Sequence, residues 1–384
     1  MIYLDNAATT PVLPAALEAA WPWLTAEFGN PSSTHELGLR ARNALEDSRS
    51  RIAAWLDCPA SDLVFTSGGT EGDNLAISGL AVANPRGKHI ISAPTEHEAV
   101  LATLDYLERI HGFEISMLSV DEHGNISLSE LQATLRPDTT LVTLMLSNNE
   151  IGTVHPLAEI IQAAHAVGAL VHTDAVQAAG WFDLRVGKNG TTVSGVDALT
   201  LSGHKLGAPK GSGATYIRGR LAVEPLLHGG GQEFDRRSGT ENVAWAVALA
   251  TAVTALGAPQ WEAERMGALR DDFIAQVTDS VSVAVLTGHP TRRHPGIASF
   301  TFAGLNGETL LLELEQRGVI VSSGSACAAG SDEPSHVLLA CGIDPDTAQT
   351  SVRFSMSHST TAEELSATSA ALIEAVTAVS GLGH

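Results

Sequence analysis

An α/β fold is what this sequence predicts: a large domain on a mostly parallel seven-stranded sheet, followed by a smaller α+β domain. Two observations lead there. Seven short apolar runs, at 63–66, 89–92, 114–118, 141–146, 170–173, 198–201 and 213–217, alternate with stretches of helical spacing such as 74–83 and 157–167. Strand–helix alternation of this kind builds parallel sheets covered by helices. The pattern then shifts near Gly257-Ala258-Pro259, inside a helical region from 243 to 277 that Pro259 should break or kink. Beyond it come strand-like runs at 297–302, 319–322 and 352–356 and an amphipathic stretch at 362–379. The expected division is residues 12–256 for the large domain, and 1–11 with 257–384 for the small one.

Bulk properties exclude several classes of function. The chain has 384 residues and a net charge of −21, from 22 Lys and Arg against 43 Asp and Glu. Such an acidic protein is unsuited to nucleic acid or to anionic membranes. No apolar run reaches the length of a membrane span. The N-terminus, Met1-Ile2-Tyr3-Leu4-Asp5-Asn6, lacks the basic and apolar regions of a signal peptide. Cys58, Cys327 and Cys341 are too few and too scattered for a disulfide framework or a four-ligand zinc site, so no metal is expected and a reducing cytoplasm fits best.

Taken along the chain, the strand ends carry the chemistry. The run at 63–66 ends in Ser67-Gly68-Gly69-Thr70, where a helix begins; free N–H groups and a hydroxyl there suit a phosphate, although an ordinary N-cap accounts for Thr70 alone. His97 follows the run at 89–92 and can stack on an aromatic ring or shuttle a proton; among 15 histidines, a half-exposed one is the simpler account. Asn148-Asn149 closes the run at 141–146 as a hydrogen-bonding loop or a simple turn. Asp174 ends the run at 170–173. It can hold a pyridine nitrogen protonated or cap a helix, with equal weight. Most telling is Ser202-Gly203-His204-Lys205, where a buried strand runs into a Gly-rich loop. A lysine at a strand's C-terminal end can form a Schiff base with an aldehyde cofactor. Cys327 lies in a run of Ser, Gly and Ala with no bulk to pack, the signature of an exposed functional loop. Arg353, within 352–356, can clamp a carboxylate with two hydrogen bonds. Cys58 and Cys341 read as packing residues. Jointly the set describes a pyridoxal-phosphate (PLP) enzyme acting on an amino acid.

Over nearly its whole length the chain resembles the cysteine desulfurases of the NifS/IscS type, class V aminotransferases of PLP fold type I. The motifs are Tyr3-Leu4-Asp5-Asn6-Ala7-Ala8-Thr9-Thr10-Pro11, Phe28-Gly29-Asn30-Pro31-Ser32-Ser33, Thr95-Glu96-His97, Asn148-Asn149-Glu150-Ile151-Gly152, Ser202-Gly203-His204-Lys205, Arg237-Ser238-Gly239-Thr240-Glu241-Asn242 and Ser322-Ser323-Gly324-Ser325-Ala326-Cys327. The resemblance implies that Lys205 holds PLP as an aldimine, that Asp174 meets the ring nitrogen and Gln177 the ring hydroxyl, and that His97 stacks on the ring. It places Gly69, Thr70, Ser202 and His204 at the phosphate, joined by Thr240 from the second subunit of a homodimer. Asn30, Asn149 and Arg353 would bind substrate, Asn149 would also touch the cofactor, and His97 would join Lys205 and Cys327 in catalysis. Cys327 would take sulfur from L-cysteine as a persulfide, leaving L-alanine, and pass it to an acceptor such as an iron–sulfur scaffold or a tRNA-thiolation protein. Without substrate, Cys327 is expected on an exposed loop more than about 4 Å from Lys205. Selenocysteine lyase or another class V activity is the alternative, and a silent sulfur-transfer scaffold a more remote one. Ser357-His358 departs from the family, which often has Gly after the Arg-Phe-Ser strand.

Overall fold

The computed structural model describes residues 1–257, 259–324 and 333–382. In chain order the elements are β1 (Ile2–Tyr3), α1 (Pro14–Thr25), α2 (Glu36–Leu56), β2 (Leu63–Thr66), α3 (Gly69–Ala83), β3 (His89–Ser92), α4 (Glu98–His111), β4 (Glu114–Met117), α5 (Leu128–Thr134), β5 (Thr139–Thr143), α6 (Leu157–Val167), β6 (Leu170–Asp174), β7 (Ala198–Ser202) and β8 (Gly213–Ile217). After them come α7 (Val243–Ala255), α8 (Pro259–Ser280), β9 (Ala284–Leu286), β10 (Ile297–Phe302), α9 (Gly307–Gln316), β11 (Val319–Ile320), α10 (His336–Ala340), α11 (Pro345–Ala348), β12 (Val352–Ser355) and α12 (Ala362–Leu382).

The main sheet has seven strands in the order β2-β8-β7-β6-β5-β3-β4. Only β8 runs against its neighbours β2 and β7; the pairs among β7, β6, β5, β3 and β4 are parallel. Strands β3, β5, β7 and β8 are buried at every residue. Helices cover both faces of a parallel sheet, so such strands read as continuous apolar runs. The core on these strands also takes in Ile52 and Leu56 of α2 and Leu249 and Val253 of α7.

A second apolar core gathers around the three-stranded sheet β12-β10-β9. Phe273 of α8 meets Phe354 edge-on at 5.1 Å between ring centroids, and Phe300 and Phe302 lie beside them. Leu4 belongs to this core. The N-terminal strand β1 pairs in parallel with β11, Ile2 opposite Val319.

Candidate active site

Parallel strands send their C-terminal ends to one edge of a sheet. His97 follows β3, Asn149 follows β5, Asp174 ends β6 and Lys205 follows β7. All four line one cavity of about 310 Å³, together with Gly69, Thr70, Gln177, Ser202, His204 and Arg353. A larger cavity of about 490 Å³ opens on the other side of Lys205, but His97, Asp174 and Arg353 do not line it. The smaller cavity therefore holds the reactive groups.

One end of it is a phosphate cradle. Helix α3 starts at Gly69 behind Gly68, whose φ of 152° suits glycine and which offers no side-chain cap. The first N–H groups of a helix have no partner within it. A Cβ on Gly69 would come within 3.0 Å of Val176 Cγ2, so the backbone approach depends on glycine. His204 Nδ1 lies 3.1 Å from Thr9 Oγ1, and burial with the Lys205 charge nearby lowers its pKa to about 4. It is thus a neutral imidazole beside Ser202.

Lys205 Nζ donates to the carbonyls of Ala7 and Ala8, the latter at 2.7 Å. Gln177 Nε2 donates to Ala7 O at 3.0 Å. Asp174 Oδ1 accepts from Val176 N–H at 2.8 Å, which fixes the carboxylate. Burial raises its pKa, while His97 and Lys205 pull the other way. His97 caps α4, its Nδ1 accepting from Ala99 N–H at 3.1 Å.

Arg353 lies at the opposite end, on β12. Its Nη1 donates to Asn149 O at 2.9 Å and its Nη2 meets Asp5 Oδ1 at 3.0 Å. It is 1% exposed. A buried guanidinium fixed on two sides is prepared for a carboxylate.

Several residues of the site escaped the sequence reading. Asp73, one helical turn beyond Thr70, lines the cavity fully buried. Burial and the Asp174 charge push its carboxyl well above the usual range. Beside it His172, at 3.6 Å from Asp73 Oδ1, hydrogen-bonds Thr143 at 2.9 Å and Thr200 at 3.1 Å. Burial takes its pKa down to about 3. Glu96 is buried with both oxygens on Met145 N–H. Three carboxyl groups converge where one charge is wanted, and burial pushes Asp73 and Glu96 towards their neutral forms.

The residues present fit PLP. Asp73 Oδ1 and Ser147 Oγ line the cavity, buried and without hydrogen-bond partners, as a polar ligand requires. A lysine, a carboxylate and a phosphate cradle face it together. Among the described residues no group of three or more His, Cys, Asp or Glu is placed to hold a metal. No described helix is long and apolar enough to cross a membrane.

Two of the expected residues stand apart from this cavity. Asn30 is exposed, its Oδ1 accepting from Ser32 N–H at 2.8 Å. Thr240 lines a separate cavity of about 280 Å³ beside Phe65 and Trp245. Cys327 lies outside the described residues. Cys341 is buried and Cys58 half-buried, and burial pushes both thiols up to about 12. Ser357 adopts no left-handed backbone, and His358 stacks on Trp181 at 4.3 Å between ring centroids.

Comparison with known proteins gives concordant results. The Aminotransferase class-V family model matches residues 2–368. A protein of Dictyoglomus turgidum named cysteine desulfurase IscS is 44% identical over 369 residues, 96% of this chain and 92% of its own. Another cysteine desulfurase IscS, from Methanosarcina thermophila, is 44% identical over 366 residues, 95% of this chain and 89% of its own. A solved NifS-like protein superposes with a TM-score of 0.89 at 33% identity, covering 98% of this chain and 99% of its own. A structure of SspA in complex with cysteine superposes at 0.80 with 34% identity, covering 93% and 99%.

Proposed function

We propose residue roles for a chain that belongs to the class-V aminotransferase family and, within it, is a PLP-dependent cysteine desulfurase. The observation that carries them is the meeting of Lys205, Asp174, His97 and Arg353 in one cavity. Bound PLP supplies an aldehyde and an electron-withdrawing ring that make the Cα–H and C–S bonds of cysteine labile.

The chain's own groups do the rest. Gly69, Thr70, Ser202 and His204 bind the phosphate, and His97 covers the ring. Asp174 keeps a proton on the ring nitrogen, and Gln177 meets the ring hydroxyl. Arg353 and Asn149 hold the carboxylate of L-cysteine. Lys205, whose amine would hold the cofactor at rest, would take the Cα proton and later return a proton to the alanine product. The Cys327 thiolate attacks the substrate sulfur: an S–S bond forms, the C–S bond breaks with its electron pair left on the substrate carbon, and a proton added at Cβ completes alanine while Cys327 carries the persulfide. Cys58 and Cys341 support this reading, because thiols with pKa values of about 12 are poor nucleophiles.

The two apolar cores, with Leu4 in the second, support a large domain of residues 12–256 and a small one of 1–11 and 257–384. Thr240, outside its own chain's cofactor cavity, supports a homodimer in which it serves the second subunit's phosphate. A sulfur-acceptor protein and a cytoplasmic setting complete the reading, and nucleic acid has no direct part in it.

Mass spectrometry of Cys327 alongside alanine release tests these roles. Lys205→Ala should abolish both products. Cys327→Ser should keep the cofactor and bind cysteine, yet form no persulfide. Full turnover in either variant refutes the assignment.

A further inference from the structure

One buried ion pair takes no part in the reaction. Arg49 of α2 is 2% exposed. Its guanidinium donates to Leu63 O at 2.8 Å and grips Glu233 with two bonds of 2.6 and 2.7 Å. Glu233 Oε2 also accepts from Phe65 N–H at 2.8 Å, on β2, the edge strand of the main sheet. The guanidinium lies between two rings, 4.8 Å from Phe65 and 4.9 Å from Phe234. This is a two-pronged ion pair in the interior, stacked on aromatic faces, and it clasps the loop after residue 228 to α2 and β2.

What the clasp holds is an unfavourable backbone. Glu233, Phe234 and Asp235 have φ of 48°, 60° and 63° in succession. Residues with a Cβ avoid this region, and a run of three persists only where the surroundings over-determine it. The turn leads to Arg237, paired with Glu71 at 2.9 Å, and then to exposed Thr240. Leu226, Leu227 and Phe234, on the same segment, are exposed apolar residues. A buried ion pair is a poor source of stability but a good device for fixing one geometry.

We propose that the Arg49–Glu233 clasp is a positioning device for the other subunit's site, setting the left-handed turn that carries Thr240 to that subunit's cofactor phosphate. This rests on the homodimer reading above. Loss of the clasp therefore weakens cofactor retention in the neighbouring site and spares the chain's own.

Mixed dimers in which one chain carries Lys205→Ala test it, because lysine-bound cofactor then reports a single site by its visible absorbance. In one arrangement Glu233→Gln is on the Lys205→Ala chain; in the other it is on the chain that keeps Lys205. The release rate of PLP to an excess of apo-acceptor should rise about tenfold in the first arrangement and stay at the parent rate in the second. Phe234→Ala, which removes one exposed ring from Arg49, should give the same pattern more weakly. A defect in the second arrangement, or in neither, overturns the proposal. Thr240→Ala in the same two arrangements checks its basis. If Thr240→Ala acts across the boundary and Glu233→Gln does not, the clasp proposal alone fails. If Thr240→Ala acts within its own chain, or light scattering finds a monomer, the homodimer reading fails with it.

Discussion

Replacing Glu96 by Gln should change how stability depends on pH, by an amount that follows from its burial. Glu96 is fully buried, and among the described residues only Met145 N–H donates to its two oxygens. Burial, helped by the Asp174 charge, holds its pKa well above the usual 4.5. The folded protein therefore keeps this proton after the unfolded chain has lost it. The stabilisation is full below pH 4.5 and drains away as pH climbs towards the raised folded pKa. The drain cannot exceed about 1.4 kcal/mol per pH unit, the slope for a single proton. Gln has no proton to lose. The stability of Glu96→Gln relative to the parent should thus rise as pH climbs above 4.5, with a slope of up to about 1.4 kcal/mol per pH unit. Urea unfolding of the two cofactor-free proteins at stepped pH measures it, and Asp73, Asp174 and His172, common to both, largely cancel. A difference that stays flat with pH refutes the reasoning, since Glu96 would then be ionised in the fold.

Two further predictions concern the reacting groups. Asp174→Asn leaves the ring nitrogen without its anion, so Cα-proton exchange in deuterated water should slow by about tenfold or more while some PLP stays bound; exchange at the parent rate would leave Asp174 as a helix cap only. Arg353→Lys keeps the charge but loses the fork that spans Asn149 O, Asp5 and a substrate carboxylate; KM for cysteine should rise about tenfold with kcat changed less, and an unchanged KM would move carboxylate recognition elsewhere.

The seven strands of the main sheet were legible to within a few residues, the unburied edge strand β4 by its place in the strand–helix alternation, and the inner ones because strands buried on both faces read as apolar runs. The same property concealed His172. In a strand where every residue is apolar or buried, alternation does not separate the face that meets α3 from the other. Asp73 was hidden in a similar way, as one more polar residue in the first turns of a helix; only the tertiary fold sets it beside Asp174. Strand β1 has two residues and takes its partner from the far end of the sequence, so no local pattern announces it. Helix α1 carries Pro22 inside it, which speaks against a helix when read locally. Lys205, Asp174 and His97 were legible because each ends or follows a strand of the main sheet, and a parallel sheet gathers strand ends by geometry; Arg353 was legible only as an arginine inside a strand pattern, β12 of the antiparallel sheet. Asn30 and Thr240 carried only a motif, and the cavity of their own chain does not include them.

The N-terminal segment ties together pieces made at very different times. Ile2 pairs beside Val319, Asp5 meets Arg353, and the carbonyls of Ala7 and Ala8 hold Lys205. Ribosomes add about 5–20 residues per second, so the first residues wait on the order of tens of seconds for Arg353 to emerge. Until β11 is made β1 has no strand to join, and until Arg353 is made Asp5 has no guanidinium to meet and the lysine no complete pocket around it. Cofactor capture is consequently a late event in the life of the chain. A nascent or truncated chain that stops short of β12 lacks Arg353 and so has no complete site to load.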